Sequence, residues 1–142
     1  MTASTLPAAG TGRARALREP VAAASAALAA TTYVGLIDPN QSGHYPTCPF
    51  LFVTGYYCPG CGSLRAVHAL SHGDVRAAVG LNVLTVAAAV ALAGFWGHWV
   101  LRRWRGQPRR AVAPPWALYL ALGVIVVFWI VRNLTVGEAL AP

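Results

Sequence analysis

Residues 81–101, LNVLTVAAAVALAGFWGHWVL, run without an aspartate, glutamate, lysine or arginine. At about 1.5 Å per residue, a helix of that length crosses roughly 30 Å of hydrocarbon. Inside a bilayer, only a helix or a closed barrel satisfies its own backbone. A second run, PWALYLALGVIVVFWIV at 115–131, opens with Pro115 at a position where a helix tolerates proline. It reaches full length through Asn133 and Leu134, with Arg132 expected to snorkel outward. A third run, VAAASAALAATTYVGLI at 21–37, is also uncharged. It is weaker, because alanine gains little on transfer into lipid and Asp38-Pro39-Asn40 stops it abruptly.

Composition points the same way: 56% of residues are hydrophobic and 11% charged, against roughly 25% charged in soluble domains. The sequence predicts an all-α integral membrane protein with three transmembrane helices, at about 21–37, 81–101 and 115–134. These form one membrane domain over 21–134, with a flexible basic cytoplasmic tail at 1–20 and a short tail at 135–142.

The net charge of +7 comes from arginine alone. Arg13, Arg15 and Arg18 precede the first run, and Arg102, Arg103, Arg105, Arg109 and Arg110 fill the loop between the other two. The segment 38–80 holds only Arg65 and Arg76. By the positive-inside rule the N-terminus and the RRWRGQPRR loop are cytoplasmic, and 38–80 and the C-terminus lie outside a plasma membrane. Trp96, Trp99, Trp104 and Trp116 cluster about that loop, as an aromatic belt at one interface does. Attraction to anionic lipid explains the arginine run better than nucleic acid, since the run is short, bounded by spans, and accompanied by no nucleic-acid-binding motif. A cleaved signal peptide is the alternative for the first run, disfavoured by its long leader and its continuation to Ile37.

Outside the cytoplasm thiols meet oxidising conditions, so Cys48, Cys58 and Cys61 are disulfide candidates, and three is an odd number. The stretch 38–57, rich in Pro, Gly, Asn and Ser and then aromatic, reads as a loop lying partly on the membrane. After the cysteines the pattern turns helical, with Leu64, Val67 and Leu70 in register and Ser63 suited to capping. Gly73 ends or bends this short surface helix, and Asp74 suits a second start. Cys61, Arg65, His68 and His72 fall on one helical face.

That stripe admits three readings. A metal site for zinc or copper would use Cys58 and Cys61 with His68, His72 or Cys48, although the six residues between Cys61 and His68 miss the usual finger spacing. A thiol–disulfide site would use the same pair, its thiolate favoured by a helix N-terminus and by Arg65. The structural reading, which the sequence favours, is a tight turn stapled by a disulfide. No paired carboxylates, nucleophile motif or phosphate loop supports a conventional enzyme. Asn82 is expected to bond Arg65 or a loop carbonyl, and His98 to sit in the tryptophan belt.

CPGCGSLRA, followed by HGD and then LNVL entering a span, resembles the bacterial membrane proteins grouped as domain of unknown function 2752. Cys58, Pro59, Cys61, Gly62, Arg65, Gly73, Asp74 and Asn82 fall on that family's pattern, with Gly60 at its variable position. Val83 stands where the family usually has proline after the asparagine, which puts a proline kink there in doubt. The resemblance implies architecture and no activity. The expectation is a small accessory or interaction protein of the cell envelope, embedded in the lipid bilayer, partnered by another membrane protein or by itself, and holding no cofactor. A thiol–disulfide protein and a zinc- or copper-binding protein are the alternatives.

Overall fold

The computed structural model describes residues 9–41, 43–46, 48–107 and 114–140, and in these the chain forms helices and turns with no strand. Five α-helices follow in order: α1 (Ala9–Leu36), α2 (Pro49–Thr54), α3 (Ser63–Ser71), α4 (Val75–Trp104) and α5 (Pro115–Arg132). A 3-10 turn over Thr135–Leu140 comes last. Arg109 and Arg110, counted in the basic loop, lie outside the described residues.

α4 and α5 are long and apolar enough to cross a membrane. Their burial is inverted relative to a soluble core: the buried residues of α4 are Ala78 and Asn82, and α5 buries only Arg132. Leucines, valines and aromatics stay uncovered along both helices. An apolar exterior around a few buried polar groups suits a hydrocarbon solvent, where such groups turn inward to pair. The alanine-rich α1 is not among the helices that meet the same measure of length and apolarity.

Several boundaries differ from those expected. α1 starts at Ala9, so much of the stretch assigned to a flexible tail is helical. Pro20 sits within that helix, where its carbonyl accepts a hydrogen bond from Trp96 Nε1 at 2.9 Å. The loop reading of 38–57 missed α2, which Pro49 opens and Gly55, at φ +73°, closes. The turn over Thr135–Leu140 packs on α4 and α5, where a short tail was expected.

The α3–α4 corner forms as its residues dictate. Gly73 adopts φ +80°, and Asp74 Oδ1 accepts from the Ala77 amide at 2.9 Å, capping α4. Ser63 does not cap α3; the N-cap is Gly62, at φ +82°. The Ser63 hydroxyl instead meets Thr85 Oγ1 of α4 at 2.7 Å. α1 packs on both α3 and α4. Its approach to α3 is close: a Cβ placed on Gly35 would lie 2.8 Å from Ser71 Oγ. Ala66 and Ala78, fully buried, supply the small side chains in this packing.

Asn82 interrupts α4 with φ −165° and ψ 96°. Its Oδ1 accepts from the Thr85 amide at 3.0 Å, the geometry of an N-cap. α4 is therefore two helices in series, and the break needs no proline.

Candidate functional site

The segment 58–62, CPGCG, is a tight turn that presents sulfurs on one side and carbonyls on the other. Cys61 N–H donates to the Cys58 carbonyl at 3.1 Å, and the Ser63 amide to the Gly60 carbonyl at 3.0 Å. The Cys58 amide points at Cys61 Sγ, 3.3 Å away. Cys58 Sγ and Cys61 Sγ are 3.1 Å apart, and Cys48 Sγ, from the residue preceding α2, lies 3.5 Å from Cys58 Sγ. All three sulfurs fall within 4.8 Å of one another. None of the three is bridged to another in this structure.

The sulfurs sit in unequal surroundings. Burial pushes the Cys61 thiol up to about 12, with the neighbouring Cys58 thiol adding to the effect. Cys48 shifts the other way, chiefly because the Leu51 amide in the first turn of α2 favours its thiolate, without reaching the geometry of a side-chain cap. A cavity of about 430 Å³ opens beside the thiols, lined by Asn40, Tyr45, Ser63 and Arg65 among others.

The carbonyl side of the turn is held by three polar side chains from the two apolar helices and their ends. Asn82 Nδ2 donates to the carbonyls of Pro59 (3.0 Å) and Cys61 (2.9 Å). Arg132 Nη1 donates to the carbonyls of Cys58 (3.0 Å), Cys61 (3.2 Å) and Pro59 (3.4 Å). Asn133 pairs with both sides of Tyr57, accepting from its amide at 2.8 Å and donating to its carbonyl at 2.9 Å. The rings of Phe128 and Tyr57 lie 5.0 and 5.8 Å from the Arg132 guanidinium carbon. An edge-to-face contact between Phe50 and Trp129 joins α2 to α5.

Of the residues singled out in sequence, Cys48, Cys58, Cys61 and Arg65 meet at the cavity. Asn82 bonds loop carbonyls, one of its two expected partners. His68 and His72 do not join the sulfurs. His68 donates through Nδ1 to the Val34 carbonyl at 2.9 Å, with Nε2 3.8 Å from Asp38, and so ties α3 to the end of α1. His72 Nδ1 faces the His68 carbonyl at 2.9 Å. Bonding of the turn's carbonyls falls also to Arg132, which is 2% exposed and does not snorkel. Arg132 and Asn133 were missed as site residues. The available signal was an arginine at the end of a span where the positive-inside pattern has no use for one.

Among the described residues these features define an all-helical protein with two helices fit to cross a membrane and a cysteine turn clasped by both. Residues 48–96, which include the cysteine turn, match the model of a family described as Protein of unknown function (DUF2752). No curated protein and no solved structure matches the chain.

Proposed function

We propose that this is a small multi-pass protein of the plasma membrane whose extracytoplasmic cysteine turn binds a thiophilic metal ion, zinc or copper. The observation that carries this reading is the convergence of Cys48 with Cys58 and Cys61 from a separate loop. Sulfurs bound at about 2.3 Å to one tetrahedral zinc stand roughly 3.8 Å apart. The 3.1 and 3.5 Å separations reach that value with small side-chain rotations. A simple staple needs two sulfurs, and the third is drawn in by α2. Ion binding would also offset the cost of ionising the buried Cys61, because metal ligation deprotonates a thiol outright.

In this reading α1 is a third span. Trp96 of α4 meets Pro20 towards one end of α1, and His68 of α3 meets Val34 towards the other. Those α1 positions are about 21 Å apart along a helix, most of a hydrocarbon thickness. Arg103 pairs with Glu19 at the end assigned to the cytoplasm. α3 then lies at the outer surface, carrying the turn.

The test is metal analysis and thiol counting on protein purified reduced from membranes. One zinc or copper per chain is expected, falling sharply in Cys48→Ser. Metal-free protein with Cys58 and Cys61 oxidised would replace this reading with a disulfide-stapled turn.

A further inference from the structure

Arg132 poses a charge problem that its neighbours do not solve. Its side chain is 2% exposed, only Nη1 is hydrogen-bonded, and Nε and Nη2 are buried without a partner. Among the described side chains, which do not include that of Glu138, no carboxylate pairs with it. A cation buried without a counter-charge is strongly unfavourable. Carbonyl dipoles and two ring faces offset part of that cost. The carbonyls it does bond are those of Cys58, Pro59 and Cys61, the backbone of the thiol turn.

We infer that the Cys48–Cys58–Cys61 site is built for a divalent cation held by three thiolates, with Arg132 as its counter-charge. The inference rests on the metal reading above and adds the charge of the ion. A divalent ion with three thiolates carries one net negative charge, which a single guanidinium neutralises. A monovalent ion with three thiolates leaves an excess negative charge. A dithiol or a disulfide carries none and leaves Arg132 unanswered. Arg132 acts on the site through the turn, as a positioning residue: its bonds to the Cys58 and Cys61 carbonyls aim both sulfurs the same way.

The experiment uses full-length protein, reduced in detergent, titrated with zinc(II) and, for its visible spectrum, cobalt(II). Wild-type protein should bind one ion, with sulfur-to-cobalt charge-transfer intensity corresponding to three thiolates. Arg132→Gln should weaken zinc binding roughly 10–100-fold, the usual loss when a supporting group behind a ligand is removed. Arg132→Lys should restore most of it, and Glu138→Gln should leave it unchanged. Zinc affinity in Arg132→Gln equal to wild type overturns the inference, as does a loss in Glu138→Gln matching that in Arg132→Gln. If Arg132→Gln does not fold, the cobalt spectrum decides: three thiolates support the inference and two overturn it. Wild-type protein that binds neither ion overturns the metal reading itself, and this inference with it.

Discussion

At the scale of single residues, the thiol turn is held in place by amide and guanidinium groups more than by apolar contact. A backbone carbonyl buried without a donor costs about 1–3 kcal/mol. The carbonyls of Cys58, Pro59 and Cys61 all point inward, and Asn82 and Arg132 share the task of satisfying them. Asn82 also caps the second half of α4 through Oδ1, so one side chain fixes the turn and starts the helix beneath it. Asn82→Ala removes donor and cap together. It should lower unfolding stability in micelles by about 2–4 kcal/mol, the sum of a lost cap and an unsatisfied carbonyl. Asn82→Asp should be worse, because a carboxylate oxygen replaces the donor opposite two carbonyls. Unfolding of Asn82→Ala at the wild-type midpoint would show that Arg132 alone holds the turn.

At the scale of elements, α4 is where sequence and structure part most instructively. Hydropathy locates the long apolar portion of α4 well, since that run is continuous in the sequence. It is blind to the break at Asn82, because an extended residue inside a helix leaves no mark on composition. The family resemblance raised a kink at this place, and Val83 in place of proline put it in doubt. The break is present because asparagine supplies the cap itself. The sequence also grouped Arg65, His68 and His72 with Cys61 on one stripe, by helical spacing. Spacing holds within α3, but Gly62 turns the chain before it, and His68 faces α1 with the His72 ring beside it while Cys61 faces the turn. Cys48 could be included only by counting thiols, and Arg132, far along the chain, only as an arginine out of place at the end of a span. These facts predict the effect of proline. Asn82 is extended, as a residue before proline prefers, and Val83 is the first residue of the following helix, where a missing N–H costs little. Val83→Pro should therefore stay within about 1 kcal/mol of wild type, whereas Val90→Pro, mid-helix, should cost about 3 kcal/mol or more. Equal damage from both, read as thermal stability in detergent, would mean that α4 runs unbroken through Asn82.

At the scale of the whole molecule, the two ends of the bundle are built from different chemistry. One end carries Glu19, Arg102 and Arg103 with Trp96 and Trp104; the other carries the cysteine turn, His68, His72 and Asp38. α1 runs antiparallel to α4, joined to it near Pro20 and Trp96, and reaches α3 at Val34. α5 meets the rest chiefly through Phe50, Tyr57 and the thiol turn, so the site is also the clamp that fastens this helix to the others. The charge asymmetry sets the orientation we propose: eight of the eleven arginines fall before the first apolar run or in the loop between α4 and α5, and cytoplasmic segments are the ones enriched in arginine. Reporter fusions at residues 40, 106 and 140 should accordingly place 106 in the cytoplasm and 40 and 140 outside. The position of 40 relative to the N-terminus tests whether α1 spans, since an α1 lying on the inner face would leave both on the same side. A fusion at 106 active outside the cell would invert the molecule, place the three thiols in the reducing cytoplasm, and remove the reason to expect competition between metal binding and oxidation at the turn.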